Sequence, residues 1–375
     1  MNSPLQILVT GGAGFIGSHL VDALVERGAG VRILDSLVEQ VHGDKVPEHL
    51  NKSAEFIRAD VCDGEAVKNA LDGIDVVYHQ AAEVGVGQSM YEIVRYVKAN
   101  DLGTAVLLEE MIKQRGEFKK LIVASSMSIY GEGAYRCDGC DKTVNPFLRS
   151  SEQLAAHDWE FKCADCGELL TSIGTTEEKP LFPTSVYAVS KQDQEQYCLS
   201  VGRAYKIPTV AFRYFNVYGP RQALSNPYTG VCAIFSSRLL NDQSPTVFED
   251  GEQSRDFVHV SDIVQANLLA LETDRGDFEA MNIGTGRPTT VKQIGSLLAE
   301  GLGKNIEPEI VGKYREGDIR HCVADISKAK RLLGYEPKVT LETGMEELLG
   351  WVSQQEAEDR VGTATAELAA HSLVK

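Results

Sequence analysis

The sequence predicts an α/β fold: a doubly wound parallel sheet, a smaller α/β substrate-binding domain and a cysteine-bearing insertion. Three observations carry the prediction. Short apolar runs alternate with longer amphipathic ones through residues 5–213. A glycine-rich turn, TGGAGFIG at 10–17, joins the first run to the first amphipathic stretch. An acidic residue, Asp35, ends the second run. Strands alternating with helices give parallel βαβ units, whose crossovers cover both faces of one sheet.

Residues 5–10 (LQILVT) read as a buried strand, and 31–35 (VRILD) as a second. Between them, 15–27 places Ile16, Leu20, Ala23 and Leu24 on one helical face. Further strands are predicted at 55–58, 74–78, 120–124 and 208–213, and helices at 101–114 and 185–204. Residues 131–180 break this rhythm and read as an insertion. From 214 onward, Gly- and Pro-rich turns at 219–230 and 284–288 mark a more irregular part. The expected organisation is a Rossmann domain of 1–130, 181–213 and 255–283. A substrate-binding domain comprises 214–254 and 284–352, and 353–375 form a polar, alanine-rich tail that is loose or an added helix.

The chain has 375 residues, 43% hydrophobic and 24% charged, with a formal net charge of -17. That is an ordinary composition for a globular protein. The acidic balance argues against nucleic acid as a partner, because phosphate backbones need a basic face. A local basic patch remains compatible with a phosphorylated substrate. No run approaches the roughly 20 apolar residues that span a bilayer, and the N-terminus lacks a leader pattern. The cytoplasm is the expected compartment, with no membrane partner.

The glycine turn carries the first functional expectation. Gly11, Gly14 and Gly17 follow a strand and open a helix that begins with Phe15 and Ile16. Such a turn lets a pyrophosphate reach the free N–H groups at a helix N-terminus. Asp35 is placed to accept hydrogen bonds from ribose hydroxyls and to repel a 2′-phosphate. NAD is therefore expected rather than NADP. Asp60 and Val61 after the third strand, and Ala81 and Ala82 after the fourth, are further cofactor candidates, as is Asn100.

The second expectation is chemical. In YAVSK, Tyr187 and Lys191 share a helical face at i and i+4. A neighbouring ammonium and a positive nicotinamide favour a phenolate. Lowering a phenol by ~3 pKa units takes roughly 4 kcal/mol and yields a general base near neutral pH.

Together, TGGAGFIG, SSMSIYGEG (125–133), YAVSK and RYFNVYGPRQ (213–222) resemble the extended short-chain dehydrogenase/reductase family, and within it the NAD-dependent sugar-nucleotide epimerases and dehydratases. The resemblance spans residues 5 to about 350 apart from the insertion. It implies that Ser126 hydrogen-bonds the reacting oxygen and that Asn216 contacts the substrate. It also implies that Arg255 binds the nucleotide diphosphate, a role that suits the planar donor fork of a guanidinium, and that Arg315 with Asp318 matches a second substrate-binding arginine and its nearby aspartate. Dehydratases of the family carry Asp-Glu after the serine or threonine. Its decarboxylases place Glu two before the tyrosine, and its 3,5-epimerising enzymes place Cys there. Here Met127 and Ser128 follow Ser126. Ser128 is then a substrate contact, and the resemblance implies C4 epimerisation through a transient 4-keto sugar. VGVGQSMYEIVRY (84–96), NPYTG (226–230) and the cysteine pairs resemble a subgroup that includes the bacterial dTDP-L-rhamnose 4-epimerases, which make dTDP-6-deoxy-L-talose. A UDP-hexose or UDP-uronate substrate, a 4-ketoreductase and a silent NAD-sensing protein are the competing expectations. The family usually pairs two subunits through long helices, which makes 101–114 and 185–204 the candidates for a homodimer.

Eight cysteines are unevenly placed. Cys137-x2-Cys140 and Cys163-x2-Cys166 have the form of a zinc ribbon. Four thiolates make a closed, structural tetrahedral site. A ~50-residue insertion has too little core to order itself without such a staple. Because it lies between Ser126 and Tyr187, it is expected to border the sugar pocket.

Overall fold

Seven strands form one fully parallel sheet in the computed structural model, which describes residues 4–43, 45–114, 118–315 and 317–374. Residues 1–3 and Lys375, at the edges of the expected first domain and tail, lie outside the described residues. Strands are numbered along the chain. This sheet holds β1 (Gln6–Thr10), β2 (Gly30–Asp35), β3 (Glu55–Arg58), β4 (Val76–His79), β5 (Lys120–Ser126), β9 (Thr209–Tyr214) and β13 (Glu279–Ile283), in the order β13-β9-β5-β4-β1-β2-β3. The order reverses at β1, and the β1 and β4 ends open there onto the glycine turn. Open α/β sheets hold their ligands at such a switch point. Central strands such as β4 and β5 are buried throughout, as both faces of a parallel sheet require. The edge strand β3 ends on the charged residues Glu55 and Arg58, which suits an unpaired edge.

Helices pack on both faces. Helix Phe15–Glu26 buries Gly17, Leu20, Val21 and Leu24, close to its predicted face. Helix Val186–Tyr205 starts at Ser185, whose side chain accepts from the Ala188 N–H (3.1 Å). It ends at Lys206 in the left-handed region, where a helix commonly stops. The predicted helix 101–114 differs in its first turn. Val97–Leu102 is a π-helical segment, and the regular helix runs Gly103–Gln114. The wider turn carries Asn100 inward to the Ser190 hydroxyl (2.8 Å) and to the backbone of Glu83.

The second sheet contains β6 (Ala134–Cys137), β7 (Lys142–Val144), β8 (Thr171–Thr175), β10 (Asn216–Tyr218), β12 (Ser254–His259), β14 (Pro288–Thr290) and β16 (His321–Ala324). Its order is β10-β12-β16-β8-β6-β7, with β14 beside β12. A short pair, β11 (Thr246–Val247) with β15 (Glu309–Ile310), stands apart. Two features go beyond the sequence reading. The insertion is no separate lobe, since its strands β8, β6 and β7 continue the sheet from β16. The segment 255–283 divides between the two units. Its strand β12 pairs in the second sheet, while Ile263, Val264 and Leu268 of the following helix join the core over β1 and β9. The tail forms a helix, Val361–Ala370, that buries Ala364 and Leu368.

A buried ion pair ties the first sheet to helix Val186–Tyr205. Arg213 on β9 grips Glu195 through Nη2–Oε1 (2.6 Å) and Nε–Oε2 (3.0 Å). Ser125 of β5 donates to the same carboxylate (2.7 Å), and Arg213 also donates to the Tyr130 hydroxyl (2.8 Å). Breaking a buried pair leaves an uncompensated charge, at a cost of about 3–5 kcal/mol. Glu195→Ala is therefore expected to lower the unfolding free energy by about that amount. Glu65→Ala, which removes an exposed pair with Lys68, is expected to change it by less than about 1 kcal/mol. Denaturant titration of both variants checks the contrast.

Candidate active site

One cavity of about 1220 Å³ runs between the two units. Its first end is the glycine turn. Gly11 has φ +69°, and a side-chain carbon there would lie 2.7 Å from the Ala81 nitrogen. At Gly17 such a carbon would lie 2.2 Å from the Gly11 carbonyl. Side chains are therefore excluded where strand and helix meet. The helix that starts at Phe15 is preceded by Gly14, which offers no side-chain cap, so its first N–H groups face the cavity wall uncapped. Asp35 accepts from the Ala13 N–H (3.0 Å) and the Leu37 N–H (2.9 Å), which fixes its carboxylate at the rim. Gly11, Gly14, Phe15, Ile16, Gly17, Asp35, Asp60, Val61, Ala81 and Ala82 all line this end. A glycine cradle, an uncapped helix start and a fixed carboxylate fit a dinucleotide.

Asn100 does not line the cavity. It is wholly buried and holds the loop that begins at Glu83. Asp60 lines it but is also paired with Lys98 (3.2 Å).

At the middle of the cavity, β5 ends at Ser126, which caps the turn Met127–Tyr130. The Ser128 hydroxyl donates to Ser126 Oγ (2.9 Å). Tyr187 and Lys191 enter the same space from helix Val186–Tyr205. The backbone N–H of Tyr187 donates to Ser89 Oγ (3.0 Å), and the Tyr96 ring meets the Tyr187 ring edge-on at 6.4 Å. Burial pushes the Tyr187 phenol up, and a hydrogen bond with Ser126 pulls it the other way. The expected lowering by Lys191 is not what this geometry shows. Lys191 Nζ is turned to Gln194 Oε1 (2.7 Å), one turn further along the helix. Burial brings the Lys191 ammonium down to about 8.

Gln194 and His79 were missed by the sequence reading. The Gln194 amide donates to Thr104 Oγ1 (2.8 Å), and His79 bridges Thr10 (2.8 Å) and Thr104 (2.9 Å). Burial holds His79 down to about 3, so it is neutral and anchors the floor beneath Lys191. The i,i+3 spacing of Gln194 from Lys191 was the available signal.

At the far end, Asn216, Arg255, Arg315 and Asp318 line the cavity together. Asn216 Oδ1 is buried without a hydrogen-bond partner, as suits an acceptor aimed at a ligand. Arg255 donates to the carbonyls of Ser254 (2.8 Å), Ile319 (2.7 Å) and Arg320 (3.0 Å). Arg315 donates to Asp318 (2.8 Å) and lies over the Phe248 ring.

The tail, whose role the sequence left open, closes one side. Thr365, Leu368 and Leu373 line the cavity. Glu367 accepts from the hydroxyls of Tyr91 (3.0 Å) and Tyr228, and His371 stacks on Tyr91.

In the insertion, the sulfurs of Cys137, Cys140, Cys163 and Cys166 lie within 4.8 Å of one another. Cys137 and Cys166 are 3.4 Å apart, and Cys140 and Cys163 3.8 Å. Thiolates ~2.3 Å from a central zinc stand about 3.8 Å apart, so the set fits a tetrahedral ion. Backbone N–H groups of Cys166 and Asp165 bring the Cys163 thiol down to about 6.

The model of the NAD dependent epimerase/dehydratase family matches residues 7–156 and 164–284. A dTDP-L-rhamnose 4-epimerase of Burkholderia thailandensis is 35% identical over 354 residues, covering 93% of this chain and 95% of that protein. The crystal structure of a Thermotoga maritima UDP-glucose 4-epimerase with UDP-glucose is 37% identical, with a TM-score of 0.76, covering 93% of this chain and 99% of that one. A UDP-glucuronic acid 4-epimerase from Bacillus cereus, in complex with UDP-glucuronic acid and NAD, is 31% identical at the same TM-score and the same coverages. With a parallel sheet that switches at a glycine turn and a family match over more than half its length, the chain belongs to the NAD dependent epimerase/dehydratase family.

Proposed function

We propose that this chain is an NAD-dependent enzyme that inverts C4 of a sugar carried on a nucleoside diphosphate. The observation that carries the reading is the meeting of Ser126, Tyr187 and Lys191 in one cavity with the glycine cradle, while Met127 and Ser128 supply no acid beside them. One proton-transfer group suffices for an oxidation reversed at the same carbon. Bound NAD supplies the hydride acceptor and donor. Tyr187 takes the proton of the C4 hydroxyl as that carbon loses its hydride, which leaves a 4-keto sugar. Ser126 orients the reacting oxygen. Arg255 and Arg315 hold the diphosphate while the sugar turns its other face, with Asp318 orienting Arg315. Tyr187 then returns the proton as the hydride comes back, and no outside reductant is consumed. Asp35 supports NAD over NADP, since its carboxylate would repel a 2′-phosphate.

Within this reading we favour dTDP-L-rhamnose, converted to dTDP-6-deoxy-L-talose. Likeness to the Burkholderia relative supports it, and UDP-hexoses and UDP-uronates are the alternatives. Val84, Val86 and Leu368 give the cavity an apolar wall that suits a 6-methyl group. A homodimer through helices Gly103–Gln114 and Val186–Tyr205 is supported by exposed Val94, Val97, Leu102, Val189 and Tyr197 on or beside them. The cysteine cluster is read as a structural zinc site. Among the described residues no helix is long and apolar enough to cross a membrane.

Two outcomes are expected for the reaction. Incubation with dTDP-L-rhamnose, and separately with UDP-hexoses and UDP-uronates, should give a C4 epimer by NMR without added reductant. Tyr187→Phe should cut kcat by about 10²–10⁴-fold, as for loss of a general base. Full activity in that variant would refute the role of the phenol.

Lys191 gives a stability test. Folding brings its amine from 10.5 to about 8, so the unfolded chain holds the proton more tightly. The charged form penalises folding in full below about pH 8, and the penalty fades as pH rises toward 10.5. Lys191→Met should therefore be more stable than the unaltered chain at pH 7, by up to about 3 kcal/mol. The gap should shrink by pH 10, as read by urea unfolding at each pH.

For the metal, the purified protein should carry about one zinc per chain by mass spectrometry, the count for a single four-thiolate site. Replacing Cys137, Cys140, Cys163 and Cys166 with Ser should abolish it. Unchanged zinc content would place the metal elsewhere.

A further inference from the structure

A second charged centre lies behind the diphosphate residues, and residues of the insertion build much of it. Arg320 is 1% exposed. Its guanidinium reaches Glu160 (2.8 Å), both oxygens of Asp250 (2.6 and 2.9 Å) and Glu249 (3.1 Å). Arg149 forms a two-point fork on Glu249 (2.8 and 2.8 Å) and donates to the Asp318 carbonyl (3.2 Å). Glu132 accepts from the backbone N–H groups of Arg320 and His321 (2.7 Å each). Glu132, Arg149 and Glu160 all come from residues 131–180. They grip the stretch from Asp318 to His321 by backbone and side chain alike.

That stretch also orients Arg255, which donates to the carbonyls of Ile319 and Arg320. Arg315 is held by Asp318 at its start. The insertion's own core stiffens the grip. Phe161 packs edge-on against Tyr135 at 5.3 Å, and the Tyr135 hydroxyl donates to Glu132 (2.7 Å). The Glu160 carboxyl is held down to about 2, first by its hydrogen bond with His321 and then by Arg320, so it is ionised at every working pH.

We propose that the cysteine-bearing insertion sets the affinity for the nucleoside diphosphate, with Arg149 and Glu160 as positioning residues that fix the stretch 318–321 and, through it, Arg255 and Arg315. The proposal rests on the reading of Arg255 and Arg315 as diphosphate ligands. It assigns the insertion to the phosphate end of the cavity as well as to the sugar pocket that it was expected to border. Neither Arg149 nor Glu160 lines the cavity, so each acts through its neighbours.

The test uses the full chain with its bound cofactor. Affinity for dTDP and for UDP is measured by calorimetry, beside kcat, KM and cofactor content. Glu160→Gln, at a half-buried position, is expected to weaken nucleotide binding about tenfold and to raise KM by a similar factor. Its kcat and cofactor content should stay near those of the unaltered chain. Arg149→Lys keeps the charge but loses the fork, and should fall between the two. Arg149→Met should be at least as weak as Glu160→Gln, and hydrogen exchange should show faster amides at 317–321. Unchanged nucleotide affinity and KM in both Glu160→Gln and Arg149→Met would overturn the proposal, whatever their melting temperatures. A fall in kcat and cofactor content with no change in affinity would overturn it too, by reducing the network to general stability. If the unaltered chain binds neither nucleotide, the diphosphate reading itself fails and this inference falls with it.

Discussion

The buried pair of Arg213 and Glu195 is the constraint from which the reacting centre takes its shape. A carboxylate with no solvent exposure is tolerable only when every oxygen is matched. Glu195 meets that demand with two guanidinium contacts and the Ser125 hydroxyl. The consequence is positional. Ser125 precedes Ser126, and Glu195 lies one turn beyond Lys191 on the helix that begins with Tyr187. One ion pair therefore sets the distance between the strand end that carries the serine and the helix that carries the tyrosine and lysine. Arg213 also reaches the Tyr130 hydroxyl, which fixes the far end of the turn after Ser126. Under the proposed function, small errors of placement are costly for a group that must meet both a hydroxyl proton and a hydride path.

The same logic separates what could be read from the sequence from what could not. The glycine turn was legible because its chemistry is local. The chain must turn where Gly11 and Gly17 have no room for a side chain. The pairing of Tyr187 with Lys191 was legible from helix periodicity. Six of the seven strands of the first sheet were legible because buried parallel strands are largely apolar runs, whereas β13 (Glu279–Ile283) was not read as a strand. The surroundings of Asn100 were not legible, since a π-helical turn carries it inward to Ser190 and no spacing rule reports that turn. Spacing alone also did not report the partner of Lys191. Position i+4 brings Lys191 to the same face, but Gln194 competes for its ammonium.

The second sheet shows why long-range pairing escapes such a reading. Its strands are short, and β16, which joins the insertion to β12, lies more than a hundred residues from the insertion it pairs with. The insertion was read as a segment held by its cysteines. Its strands nonetheless complete a sheet whose other members flank the substrate end of the cavity. The tail was equally opaque. A polar, alanine-rich segment has no strong face, yet Ala364 and Leu368 find a surface, and Glu367 links Tyr91 to Tyr228.

A chain of net charge -17 that takes a nucleoside-diphosphate sugar, as proposed, must solve its electrostatics locally. At physiological salt, exposed charges are screened beyond about 8 Å, so the acidic surface has little reach into the cavity. Inside it, most cations are already matched. Arg95 is paired with Glu83 and Glu92, Arg221 with Asp22, and Arg238 with Asp359. Arg255 is different, because its donors meet three backbone carbonyls, which orient the guanidinium without cancelling its charge. Those carbonyls belong in part to Ile319 and Arg320, the stretch gripped by the insertion. The positive charge best placed for a diphosphate is thus aimed by backbone, and that backbone is held by a carboxylate network that the cysteine-bearing segment completes.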